Sequence, residues 1–148
     1  MGVYEVYPGL ILGGINDLDA MVRMRTDILV PLDRLSARVW ELGFRGEILY
    51  CPIRDYSFLP DDVLKRLVDQ ILERHAQGKR VAIFCLGGHG RTGYVAACVL
   101  FRLGIQQPIE YLRNRYDPSY IETKEQEIAV RRFCSQHDRA QTPRRHGG

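Results

Sequence analysis

The chain has 148 residues, of which 45% are apolar, 26% charged and 9% aromatic. That is one globular domain's worth, long enough to bury about 70% of the surface its unfolded form exposes; it makes a disulfide-stapled scaffold unnecessary, and the composition excludes a wholly disordered or fibrous chain. The net charge of +3 is modest, with acids interspersed among bases, so an anionic ligand is compatible and nucleic acid is not expected as a partner. No apolar run approaches the ~20 residues of a membrane span, and residues 1–9 lack a basic stretch followed by an apolar core. The expectation is a cytoplasmic protein with no membrane partner.

Taken in chain order, short β-branched or apolar runs at 10–13, 27–32, 48–53 and 81–84 read as strands. Between the last two, Pro60-Asp61-Asp62 starts a helix over 61–77, with Val63, Leu64, Leu67, Val68, Ile71 and Leu72 at helical spacing and Gly78 as the stop. Asp61 and Asp62 are read as capping residues. Further helices are expected over 91–103, 108–116 and 123–137, the last opened by a Thr123/Gln126 capping box. This order predicts an α/β fold: a central, mostly parallel sheet of four to five strands flanked by helices on both faces. Residues 1–137 form a single domain, and the polar, arginine-containing 138–148 are expected to be a flexible tail.

Cys51, Cys85, Cys98 and Cys134 form no C-x-x-C pair and have no histidine at zinc-ligand spacing, so neither a metal nor another cofactor is expected. A Cys98–Cys134 disulfide stays open as a pairing. Cys85 stands apart. It ends the buried run Val81-Ala82-Ile83-Phe84 and is followed by Leu86-Gly87-Gly88-His89-Gly90-Arg91-Thr92-Gly93. No proline interrupts that turn, and its glycines allow successive amides to face inward as a nest, while the helix that follows adds its unpaired N–H donors. A tetrahedral dianion fits such a cup. The Gly-Lys-Ser/Thr ending of the nucleotide P-loop is missing. In its place are a thiol at the mouth, which loses its proton readily among inward amides beside a guanidinium, and Arg91, whose fork matches two phosphate oxygens. Thr92 puts a hydroxyl near the sulfur.

The pattern C-x5-R-[S/T]-G, present as Cys85, Arg91, Thr92 and Gly93, resembles the signature of the cysteine-dependent protein tyrosine phosphatases, and the compact size resembles their dual-specificity branch and its small archaeal relatives. The resemblance implies that Cys85 is the nucleophile and that the backbone of Leu86, Gly87, Gly88, His89 and Gly90, with Arg91, holds the phosphoryl group. It implies that Asp55, in Pro52-Ile53-Arg54-Asp55-Tyr56, is the general acid and that Gln126 orients the hydrolytic water. Most members have histidine directly before the cysteine; this chain has Phe84.

The expected function is a metal-independent phosphatase of phosphorylated proteins. Phosphotyrosine comes first and phosphoserine or phosphothreonine next, with phosphate, vanadate or tungstate as site ligands. Non-protein substrates (5′-phosphorylated RNA or a phosphoinositide) and a phosphate-binding pseudophosphatase are the competing readings. Asp61 or Asp62 competes with Asp55 as the acid, Gln126 has its capping box as a second reading, and His89 is read as a rim or packing residue. Tyr56 and Phe58, beside Asp55, are placed to line the cleft and hold an aryl ring.

Overall fold

The alternation of strand-like and helix-like runs resolves, in a computed structural model describing residues 2–137, into a five-stranded sheet covered on both faces. The strands are β1 (Tyr4–Tyr7), β2 (Leu10–Gly14), β3 (Ile28–Pro31), β4 (Glu47–Ile48) and β5 (Val81–Cys85). The helices are α1 (Leu18–Arg23), α2 (Arg38–Glu41), α3 (Asp61–Ala76), α4 (Gly90–Arg102), α5 (Pro108–Arg115) and α6 (Lys124–Gln136). The spatial order is β1-β2-β5-β3-β4, parallel throughout except for the β1–β2 hairpin. Residues 138–148, expected to be a tail, lie outside the described residues.

Period-2 alternation along the central strands sorts the core into two layers. Ile11, Leu29, Ala82 and Phe84 pack with Leu18, Met21, Val39 and Phe44 on the side of α1 and α2. Leu10, Leu12, Ile28, Val30, Val81 and Ile83 face α3 to α6. Phe84, in the position before Cys85, is thereby committed to the α1/α2 layer and fully buried. Helix α4, buried from Gly90 to Leu100, is the central helix of the other layer. Among the described residues no helix is long and apolar enough to cross a membrane.

Three features differ from the sequence expectation. The β1 hairpin was not anticipated; its turn is Pro8-Gly9 with Gly9 at φ +83°, the left-handed conformation that glycine tolerates best. Helices α1 and α2 are too short to carry a periodic signal. The strand expected over 48–53 pairs as a full ladder only at Glu47–Ile48, because beyond it Pro31 of β3 has no N–H to return to the strap. Beyond it the chain stays extended, with the amides of Leu49, Cys51 and Ile53 bonded to the carbonyls of Leu29, Pro31 and Leu32. That strap carries Asp55 to the C-terminal edge of the sheet, where ligands gather in α/β folds.

Candidate active site

Strand β5 ends at Cys85 and α4 begins at Gly90, and the turn between them is held open by its neighbours. Ile15 donates its N–H to the Leu86 carbonyl at 3.3 Å. Because the carbonyl and the next N–H of a trans peptide point in opposite directions, the Gly87 N–H is turned the other way, into the cup. The His89 carbonyl accepts from Gly93 at 2.9 Å and from Ile121 at 3.2 Å, which aims the Gly90 amide inward by the same geometry. The Gly88 N–H donates to Cys85 Sγ at 3.3 Å and the Thr92 hydroxyl at 3.0 Å. Both are hydrogen bonds that a thiolate accepts.

The two consecutive glycines do different work. Gly88 sits at φ +80°, and a Cβ there would lie 2.7 Å from the Gly13 carbonyl carbon and the Gly14 nitrogen of β2. A Cβ on Gly87 would meet nothing within 4 Å. Gly88→Ala is therefore expected to cost on the order of 3 kcal/mol, from strain and overpacking together. Gly87→Ala should be neutral or stabilising by about 0.4–1 kcal/mol. Urea unfolding of the two variants checks both signs.

Arg91 is 4% exposed, and its guanidinium is fixed by three partners. Nη1 donates to the Ile53 carbonyl at 2.8 Å, and Nη2 meets Asp33 Oδ2 at 3.0 Å and Asp55 Oδ1 at 3.5 Å. Asp55 lies in a tight turn closed by the Ser57 N–H on the Arg54 carbonyl, and its Oδ1 accepts from the Tyr56 N–H. Tyr56 holds φ +62° in that turn and is well exposed. Two anchors fix the loop from behind: the Leu59 N–H donates to the Tyr94 hydroxyl, and Gln126 Nε2 donates to the Ser57 carbonyl. The resulting cleft of about 200 Å³ is lined by Asp55, Tyr56, Cys85, residues 86, 87, 89 and 90, Arg91 and Glu122.

The structure thus brings Cys85, Arg91, Thr92, Asp55, Leu86, Gly87, Gly88, His89 and Gly90 together at one edge of the sheet. Gln126 is not on the cleft. It is fully buried: its Oε1 accepts from the Glu122 and Thr123 amides and its N–H from the chain donates to Thr123 Oγ1, so the capping-box reading describes its contacts. Asp61 and Asp62 are also away from the cleft, and neither caps α3, whose N-cap is Pro60. Asp61 instead pairs with Arg132 of α6, whose hydrogen bond holds its carboxyl below the usual range. Phe58 is exposed but does not line the cleft, whereas Tyr56 does. No disulfide joins Cys98 to Cys134, and burial pushes the Cys98 thiol well up, with Cys134 adding to the effect. Among the described residues no group of His, Cys, Asp or Glu is arranged to hold a metal ion.

Two carboxylates escaped the sequence reading. Asp33 follows β3 as Asp55 follows β4, and the only signal for it was that parallel strands end at the same edge. Glu122 precedes α6, and its carboxylate lies against Gly90, leaving no room for a Cβ there.

A strand, an amide-lined turn holding a cysteine, and a buried arginine opening the next helix define the cysteine-dependent phosphatase class. Residues 18–142 match the family described as Swiss Army Knife protein, DSP-PTPase phosphatase domain. The chain belongs to that family. It is 42% identical over 105 residues to the uncharacterised protein MJ0215 of Methanocaldococcus jannaschii, a match covering 68% of this chain and 66%, just under two thirds, of that protein. Its fold is similar to that of Tk-PTP in the active form, with TM-score 0.76 and 25% identity over 91% of this chain and 97% of that one. It is also similar to a mouse putative dual specificity phosphatase complexed with zinc tungstate, with TM-score 0.73 and 15% identity over 90% and 87% of the two chains.

Proposed function

We propose that the chain is a metal-independent phosphomonoesterase of phosphorylated proteins, acting first on phosphotyrosine and then on phosphoserine or phosphothreonine. The observation that carries this reading is the Cys85 sulfur receiving two donors inside a cup whose far wall is a buried, pre-positioned Arg91. The thiolate attacks phosphorus, the phosphorus–oxygen bond to the leaving group breaks, and Asp55 gives that oxygen its proton. Water then attacks the cysteinyl-phosphate, Asp55 takes its proton, and the sulfur leaves as a thiolate hydrogen-bonded by Thr92.

Asp55 suits both steps because it is the looser of the two carboxylates on Arg91, at 3.5 Å against 3.0 Å for Asp33, and its side chain is half exposed. An incoming phosphoryl group replaces it on the guanidinium and frees it for the leaving oxygen, while Asp33 keeps Arg91 in place. Gln126 is spent on its cap, so Glu122 takes over the water-orienting role that the family resemblance assigned to it. Tyr56 and Leu86, on the cleft and exposed, supply apolar walls for an aryl leaving group.

Turnover of para-nitrophenyl phosphate between about pH 5 and about pH 8 tests the reading; a protein silent across that range is a binding module. Asp55→Asn should slow alkyl phosphates by about 10²–10³-fold and activated aryl phosphates far less, since a good leaving group needs no proton. Equal losses on both would remove Asp55 from the acid role. EDTA should leave every rate unchanged.

A further inference from the structure

His89 is the one residue of the turn between Cys85 and Arg91 with an imidazole, and the structure gives that ring an unusual setting. It lines the cleft, yet its Nε2 is buried without a hydrogen-bond partner. Its neighbour is Tyr120, packed edge-on at 6.5 Å between ring centres and 83° between planes. Tyr120 is fully buried, and its hydroxyl also has no partner. Leaving a buried donor or acceptor unsatisfied costs about 1–3 kcal/mol, so the ring edge is held here by packing and not by a hydrogen bond.

The segment bearing Tyr120 is pressed onto the turn at a conformational cost. Ile121, β-branched, holds φ +66° and donates its N–H to the His89 carbonyl. Arg113 of α5 clamps the strained segment by donating to the Tyr120 carbonyl at 2.8 Å and the Ile121 carbonyl at 2.7 Å. Strain of this kind persists only where the surroundings over-determine it, and here it fixes Tyr120 against His89.

The charges around the cup supply the reason. The fixed side chains are one guanidinium, Arg91, against three carboxylates, Asp33, Asp55 and Glu122. A dianion entering among them needs compensation beyond the backbone amides and the α4 N-terminus. We propose that His89 supplies it: binding of a tetrahedral dianion draws one proton from solvent onto the His89 imidazole, which then stands as a second cation of the cup, with Tyr120 packed against the ring and Asp117 as a neighbouring carboxylate. This rests on the reading that residues 85–91 bind a phosphoryl group.

The groups facing the ring are consistent with that role. Asp117 precedes Tyr120; its carboxyl is held low chiefly by the Ser119 hydroxyl and amide and, in smaller part, by the His89 ring. Tyr120 stays a phenol, pushed up by burial, so it brings no charge beside the ring. Cys85, Arg91, Asp33, Asp55 and Glu122 complete the surroundings. Leu86, Gly87, Gly88 and Gly90 carry no proton to exchange. His89 is thus a positioning residue whose charge follows the ligand.

Sulfate is the probe, because it remains a dianion from about pH 5.5 to about pH 8.5, and a Cys85→Ser background removes the thiol's own titration. With His89 present, sulfate should bind about tenfold more tightly at the acid end than at the alkaline end, and with His89→Gln the change should stay within about twofold. Nitrogen-15 spectra of the imidazole, needing no substitution at His89, should show its protonation curve moving to higher pH when sulfate is added. A curve unmoved by sulfate, or a pH dependence that survives His89→Gln and so places the proton on Asp55 or Glu122, overturns the proposal while leaving the phosphatase reading intact. Absence of any sulfate binding at the turn sinks both.

Discussion

Cys85→Ser is expected to lower turnover of aryl phosphates by on the order of 10⁵-fold, while sulfate and tungstate remain bound. The asymmetry follows from who surrounds the sulfur. Its two hydrogen-bond partners, the Gly88 N–H and the Thr92 hydroxyl, are both donors directed at it. Such donors stabilise an anion on the atom they face and do nothing to remove a proton from it. A serine hydroxyl keeps its proton at neutral pH and would need a base. None of the carboxylates at the cup is that base: Asp33 stays on Arg91, Asp55 in its proposed acid role holds a proton when substrate is bound, and Glu122 lies against Gly90. Binding survives because the cup is made of backbone amides and Arg91, none of which the substitution touches. Steady-state kinetics paired with calorimetric titration of sulfate separates the two quantities. A variant retaining rates within about tenfold of the parent would take Cys85 out of the mechanism.

The turn that holds Cys85 was legible in the sequence to the extent that it is local. Cysteine, glycines and arginine at fixed spacing between a buried run and a helix specify the turn, because each residue type answers a requirement within a few positions of itself. The same holds for the Thr123/Gln126 box and for Gly78 as a stop. What local spacing did not disclose is the set of groups brought in by the sheet: Asp55 came only through the family resemblance, and Asp33 not at all. Asp33 and Asp55 reach Arg91 because β3 and the strap after β4 run parallel to β5 and end beside it. Gln126 shows how the two sources can compete: spacing supports a cap, family resemblance a water-orienting role, and its buried position with amides on Oε1 agrees with the cap. Tyr120 could not be paired with His89 from the sequence, since 31 positions separate them and the left-handed turn at Ile121 is what sets them edge-on.

Arg91→Lys should be nearly as damaging as loss of the sulfur, lowering kcat/KM by about 10³-fold or more. Charge is conserved in this substitution, so the loss measures geometry. The guanidinium satisfies the Ile53 carbonyl through Nη1 at 2.8 Å and Asp33 through Nη2 at 3.0 Å at the same time, and with those bonds made its plane is fixed before any ligand arrives. A lysine ammonium is a single point with no plane and cannot hold both anchors while presenting two donors to two phosphate oxygens. It would stay with Asp33 and leave the Ile53 carbonyl, buried beneath it, unpaired. The consequence reaches Asp55 as well. With no fork bridging the two loops, Asp55 loses the contact that parks it beside the cleft, so the proton donor becomes less well placed as the phosphoryl clamp weakens. Both kcat and the affinity for sulfate are therefore expected to fall, whereas a purely electrostatic role for Arg91 would leave the variant within about tenfold of the parent. Stopped-flow measurement of the phosphorylation step, with sulfate affinity determined on the same preparation, distinguishes the two outcomes.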